Sequence, residues 1–418
     1  MVRFAVAVIC TLISAVSFGF SGQVMDSATQ KPLAGAIVTL GEKTVNTDEN
    51  GNFSIDGDSK ILHARAYGYG RTKVDIDSAK PDGYQLTLSP LNTKGLYLSF
   101  YGIGSSVLRG RAMDIVHQTE INTLVVDIKG DRAMLPYPTN IEMAKNIGAN
   151  KIITVKDMPA LIEKLHGEGL YLIARIVTFK DTLLATAKPE WAVKRNGAMF
   201  KDREGLYWVD PSRKEVWNYN IQIAKEAAEM GFDEIQFDYV RFPDRKGVSF
   251  SIANTEENRI NSIDGFLTAA HEALKPYNVF MSADVFGYIC WNTNDTDIGQ
   301  HLEHVINTVD YLSPMLYPSG FQFGIPGYRN PVQNSHEIIY LSLKKAGERS
   351  GWDPKRFKPW LQAFKDYAFD KRHFDAEEIK KQVSAADKFG AGGWYLWNPR
   401  NAYTAGGLKA ESNVATAE

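Results

Sequence analysis

The chain has 418 residues, 44% of them apolar and 23% charged, and a formal net charge of −2. That length calls for two or three domains, and that apolar content supports a substantial core. A balance so close to neutral gives no electrostatic reason to expect nucleic acid or an anionic membrane surface as a partner. At the amino terminus Arg3 precedes an apolar run from Phe4 to Phe18, broken only by Cys10, Thr11, Ser14 and Ser17. The run is shorter than the roughly 20 apolar residues of a membrane span. Small residues at Ala15 and Ser17 have the spacing a signal peptidase accepts. Residues 1–21 therefore read as an export signal, with an uncleaved anchor as the alternative. The expected destination is the periplasm or the exterior, without stable membrane insertion. Once the signal is removed, Cys290 is the only cysteine left, so no internal disulfide can form.

From residue 22 to 90 the pattern is short strands separated by turn chemistry. Asn52-Phe-Ser-Ile55 alternates polar and apolar after the turn Asp48-Glu-Asn-Gly51, and further strands are expected at 62–67, 73–76 and 84–88. This predicts a small all-β sandwich with no cluster of catalytic residue types. Gly22-Gln-Val, Pro32-Leu-Ala-Gly-Ala-Ile-Val and Thr47-Asp-Glu-Asn-Gly-Asn-Phe53 resemble the carboxypeptidase regulatory-like domains attached to many secreted enzymes. The resemblance implies a spacer or docking module.

From residue 91 to 410, strand-type and helix-type segments alternate. Strands are expected at 95–102, 123–130, 170–179, 234–242, 280–287, 311–317, 359–364 and 393–397, with helices such as 158–166, 214–230, 258–274, 298–308 and 376–389 between them. Eight such alternations predict an α/β fold, a (β/α)8 TIM barrel. An open dinucleotide-binding sheet would carry a glycine fingerprint after its first strand, and Tyr101-Gly-Ile-Gly104 is too incomplete to be one. The long connections 131–157 and 180–211 leave the carboxyl ends of strands, where barrel sites are built. The second carries Trp191, Tyr207 and Trp208, which either face a sugar or pin the loop to the rim. Residues 411–418 read as a disordered tail.

Alternation along each strand sorts the side chains into two faces. In Glu234-Ile-Gln-Phe-Asp-Tyr-Val-Arg-Phe-Pro243, Gln236 and Asp238 oppose Ile235 and Phe237. Taken alone, Asp238 could as well cap a helix or pair with Arg241. Val125, Asp127 and Lys129 are expected on one face of their strand, and Lys129 could neutralise Asp127. Arg175, Ser282 and Asp284, Tyr317, Gln362, and Trp397 with Asn398 likewise fall near strand ends. None of the eight histidines ends a predicted barrel strand, which argues against a catalytic zinc, and no phosphate cradle appears. The sequence thus predicts neither metal nor cofactor. Carboxylates, Arg175, Lys129, amides and aromatics remain, a set suited to acid–base and nucleophilic chemistry on a polyol. A glycosidase needs two carboxyl groups, one protonated and one ionised. Asp238 and Asp284, on consecutive strands, are the leading pair.

Glu190-Trp-Ala-Val, Trp208-Val-Asp-Pro211, Glu215-Val-Trp-Asn-Tyr-Asn220 and Gly231 through Pro243 resemble a bacterial family assigned to the glycoside hydrolases. It was long classed as a domain of unknown function and stands near the α-amylase and α-galactosidase barrels. The likeness continues through Ser282-Ala-Asp-Val-Phe-Gly287, Ser313-Pro-Met-Leu-Tyr-Pro318 and Gly393-Trp-Tyr-Leu-Trp-Asn398, covering nearly all of residues 95–400. It implies a nucleophile at the end of the fourth strand, Asp238, and an acid/base at the end of the fifth, Asp284. α-Amylases carry a glutamate at the second position, one methylene longer. The combined expectation is an exported enzyme cleaving a polysaccharide with retention. Arg175 and Arg241 would keep Asp238 ionised, and Arg241 could instead bind an acidic sugar. Asp127, Lys129, Trp208, Tyr317, Gln362, Trp397 and Asn398 would line the sugar site. A non-catalytic glycan-binding barrel and a structural envelope protein are the alternatives.

Overall fold

The computed structural model describes residues 18–77 and 79–410. The expected export signal, up to residue 17, and the expected tail at 411–418 lie outside the described residues. The chain divides into two compact units, one of residues up to 66 with 71–89, the other of 67–70 with the residues from 90 onward.

The first unit is all β. Strands β1 (Phe18–Asp26), β4 (Asn52–Gly57) and β7 (Tyr84–Leu88) form one sheet in the order β4-β1-β7. The other has the order β3-β2-β5-β6, from β2 (Ile37–Leu40), β3 (Lys43–Asn46), β5 (Ile61–Arg65) and β6 (Thr72–Asp75). Strand β1 begins at Phe18, so residues 18–21, assigned above to the export signal, already pair with β4. Gly22 is required where β1 meets β7, because a Cβ there would overlap the Tyr84 carbonyl. Alternation in β4 buries Phe53 and Ile55 and exposes Asn52 and Ser54, as the sequence pattern dictates.

The second unit is a closed barrel of eight parallel strands: β8 (Thr93–Leu98), β9 (Thr123–Lys129), β10 (Tyr171–Val177), β13 (Glu234–Asp238), β15 (Phe280–Phe286), β16 (Tyr311–Met315), β17 (Trp360–Gln362) and β18 (Gly393–Trp397). The short strands β11 (Lys194–Arg195), β12 (Ala198–Met199) and β14 (Val248–Ser249) make a separate small sheet. Side chains of one parity, among them Val125, Tyr171, Ile173, Tyr311 and Tyr395, fill the barrel. Those of the other parity, such as Leu124, Val126, Ile235 and Phe237, join the core beneath the outer helices. Strands buried on both faces therefore read as almost continuous apolar runs.

Seven of the eight barrel strands end earlier than the sequence suggests, three of them with consequences for the mouth of the barrel. The chain leaves β8 at Ser99, whose hydroxyl accepts the Gly102 N–H and starts a short helix at 100–104. Strand β13 stops at Asp238 because Tyr239 turns into the left-handed region, at φ 49°. Strand β16 stops at Met315, two residues short of Tyr317. Pro243 thus lies in the loop above the barrel and not at a strand end.

Candidate active site

Asp127, Arg175, Asp238 and Asp284 come from four different strands and meet at the carboxyl-terminal mouth of the barrel. Strand parity brings them together: Asp127 aligns with Arg175 across β9 and β10, and Asp238 follows Gln236 along the inward face of β13. Arg175 is 1% exposed. Its Nη1 donates to Asp127 Oδ1 at 2.6 Å, while Nε and Nη2 donate to Asp238 Oδ2 at 3.0 and 2.5 Å. Asp131, just beyond the end of β9, reaches Nη2 at 3.5 Å. Burial opposes the Arg175 charge, but Asp238 and then Asp127 outweigh it and raise its proton affinity well above the usual value.

The carboxylates differ in their surroundings. Asp238, 6% exposed, also accepts the Tyr239 N–H at Oδ1, so three N–H groups converge on it, a donor set suited to an anion. Asp127 accepts the Tyr97 hydroxyl at 2.6 Å and the Phe100 N–H at 3.3 Å, and burial pushes its carboxyl up to about 6 despite Arg175. Asp284 is 1% exposed. Its Oδ1 accepts Trp360 Nε1–H at 2.7 Å, and its Oδ2 is buried without a hydrogen-bond partner. Burial, followed by the charge of Asp238, raises the Asp284 carboxyl well above the ordinary range. Arg175 Nε stands 3.0 Å from Asp238 Oδ2 and 4.0 Å from Asp284 Oδ2, so those oxygens lie no farther apart than the sum, 7.0 Å. One carboxylate clamped by a cation and a second whose burial favours the protonated form suit the roles of base or nucleophile and of acid.

Above them is a cavity of about 150 Å³ lined by Arg175, Asp238, Tyr317, Trp360 and Trp397 with Tyr239, Arg241, Phe286 and Met315. Trp397 stacks on Tyr97 at 3.9 Å between centroids, and the Arg175 guanidinium lies 4.8 Å from the Trp397 ring. Arg241 lies over Trp208, Tyr239 and Phe286, at 4.8, 5.2 and 4.7 Å from their centroids. Trp208 is buried beneath it, its Nε1–H held by Asp202.

Residues 95–403 match a family model described as "Putative glycosyl hydrolase domain". The chain belongs to this family. A hypothetical protein from Ruminiclostridium thermocellum ATCC 27405 is 42% identical across 46% of this chain and 97% of its own, with a TM-score of 0.41. The PgaB (BpsB) glycoside hydrolase domain from Bordetella bronchiseptica is 12% identical, with a TM-score of 0.55 over 75% of this chain and 95% of that one, a likeness of fold. No curated protein matches the chain.

Three residues expected in the sugar site of this glycosyl hydrolase domain lie elsewhere. Lys129 is fully buried on the opposite side of the sheet, 2.7 Å from Asp181 and 2.8 Å from Asn220 Oδ1. A register shift opposite Arg175 and Ile176 turns it away from Asp127, so Arg175 and not Lys129 is the cation paired with that carboxylate. Gln362 is fully buried, exchanging hydrogen bonds with Ser319 and donating to the Phe364 carbonyl. Asn398 spends its amide on the Ala363 and Ala402 carbonyls, fixing the loop after β18. Conversely, Tyr97, Asp131, Phe286, Met315 and Trp360 belong to the site and were not singled out. Tyr97 and Trp360 point inward by the same alternation that selects Asp238. Deeper in the barrel Glu234 accepts from Tyr171, Ser282 and Lys358 at 3.1, 2.6 and 2.8 Å, a network with the parity of Asp238 that the sequence reading also passed over.

Proposed function

We propose that the barrel hydrolyses glycosidic bonds in a polysaccharide with retention of configuration. The observation that carries this reading is the contrast between Asp238, clamped by Arg175, and Asp284, whose burial favours the protonated form, with oxygens no more than 7.0 Å apart. Retaining enzymes hold their two carboxyl groups about 5–5.5 Å apart, within that ceiling. Asp238 attacks the anomeric carbon and forms a glycosyl ester as the C–O bond to the leaving sugar breaks. Asp284 delivers its proton to the departing oxygen. It then takes a proton from water, which attacks the same carbon and releases Asp238. Arg175 orients Asp238 and sets a positive charge against it, and Trp360 positions Asp284 through Oδ1. Tyr317 and Trp397 supply flat walls for the sugar. Export, directed by the amino-terminal apolar run, would bring the enzyme to polysaccharide outside the cytoplasm.

Incubation with a panel of bacterial and plant polysaccharides tests this. Reducing ends should appear, and Asp238→Asn should slow their release by about a thousandfold or more. Binding without release, equal in both proteins, would instead mark a glycan-binding barrel.

A further inference from the structure

The catalytic cavity shares wall residues with a second one. Arg241 and Tyr239 line both, and the second has a volume of about 300 Å³. Its walls carry six cationic side chains, Lys180, Arg195, Lys201, Arg203, Arg241 and Arg245, against the acids Asp202, Glu204 and Asp244, a formal excess of three positive charges. Among the described residues only Lys180 of the six has a carboxylate within 4.0 Å, Glu204 at 2.6 Å. Asp202 is occupied by Trp208 Nε1–H and by the Glu204 and Leu206 N–H groups. Arg241 is held in a ring of aromatic faces, with Nη1 donating to the Phe242 carbonyl. A guanidinium buttressed in this way, beside Arg195, Lys201, Arg203 and Arg245 with no carboxylate within 4.0 Å among the described residues, suits a fixed anion.

Phe286, Met315 and Tyr317 are shared with a third cavity of about 660 Å³, which shares Asp244 with the second. Its walls include Tyr288, Phe323 and Tyr367, and the last two are 78% and 54% exposed. The three cavities adjoin through shared wall residues: a cationic arm, a central cavity with Asp238 in its wall, and an aromatic arm. Adjoining cavities of this kind suit a polymer longer than one sugar unit.

We propose that the substrate is an acidic polysaccharide, with the carboxylate or sulfate of one sugar unit held in the cationic arm by Arg241, Arg203 and Arg245 while the neighbouring unit lies over Asp238. The inference rests on the glycoside hydrolase reading for its catalytic half only. The uncharged backbone of the same polymer then lacks its main anchor.

Affinity electrophoresis of the full chain separates the two halves, because it needs no turnover. The probes are polygalacturonate, its carboxyl-reduced form, dextran sulfate and dextran, each at about 0.1 M salt so that diffuse surface charge is screened beyond roughly 10 Å. At least one anionic probe should retard the protein at a tenfold or more lower concentration than its neutral counterpart, and which one does identifies the anion. Arg203→Gln with Arg245→Gln, both exposed positions, should remove most of that preference without moving Tm, and Arg241→Gln alone should also remove most of it. The distant pair Lys344→Gln with Lys345→Gln should leave it intact. Equal retardation by charged and neutral probes, or a preference unchanged by the arginine variants, overturns the proposal. Retention of the anionic probes with no cleavage of any polysaccharide would sink the hydrolase reading and leave the anion site standing.

Discussion

Replacing Arg175 by Met removes the cation on which Asp127 and Asp238 both depend while keeping an unbranched apolar stem. The guanidinium is 1% exposed and makes three close hydrogen bonds to those carboxylates. Breaking a buried ion pair by deleting one partner costs about 3–5 kcal/mol, a large share of a total stability of about 5–15 kcal/mol. At roughly 2–4 °C per kcal/mol for a large domain, Tm should fall by about 6–20 °C. The loss should also depend on pH. Asp127 titrates at about 6 in the folded protein, against about 3.9 in an unfolded chain. Between those values the folded state keeps a proton that the unfolded state has released, so stability falls as pH rises through the window, by roughly 3 kcal/mol. Without Arg175 the pull that lowers this carboxyl is gone, and the window extends above 6. The Tm deficit of Arg175→Met should therefore be larger at pH 8 than at pH 5. Thermal melts followed by circular dichroism measure it. An equal deficit at both pH values, or no deficit, would refute the assignment of Arg175 as their counter-charge.

Activity on a cleaved polysaccharide should decline on the alkaline side as Asp284 gives up its proton, and Asp284→Asn should lower the rate by about 10²–10⁴. Trp360→Phe deletes the hydrogen bond that favours the Asp284 anion, so the alkaline decline should move to higher pH; a shift downward would contradict the assignment of Asp284 as the acid. Lys129→Met leaves Asp181 buried without its cation and should destabilise the fold by about 3–5 kcal/mol in denaturant titrations, yet the protein that remains folded should keep its rate per molecule.

The eight-strand alternation was legible because each barrel strand is an apolar run bounded by turn chemistry, and strand parity placed Asp127, Arg175, Asp238 and Asp284 on inward faces. Parity failed at Lys129, where a register irregularity no alternation rule detects moves the side chain to the outer face. It also overreached at Gln362 and Asn398, since facing the mouth does not reveal that an amide is already consumed by Ser319 or by a loop carbonyl. The left-handed turn at Tyr239 was hidden for a related reason. An aromatic residue in a β-rich run gives no local sign of positive φ, and here the Asp238 carboxylate accepting the Tyr239 N–H accompanies the turn. Tyr97 and Trp360 were within reach of the parity argument, whereas the cationic arm draws on β11 and two loops whose convergence sequence spacing does not encode.

The most direct test of the two-carboxylate account is the anomeric configuration of the first product, followed by proton NMR on a polysaccharide the enzyme cleaves. Attack by Asp238 predicts a product with the configuration of the bond that was broken. It also predicts that azide added to Asp238→Gly yields a glycosyl azide of the opposite configuration. An inverted sugar from the wild-type enzyme would contradict Asp238 as nucleophile and make it the base for an attacking water.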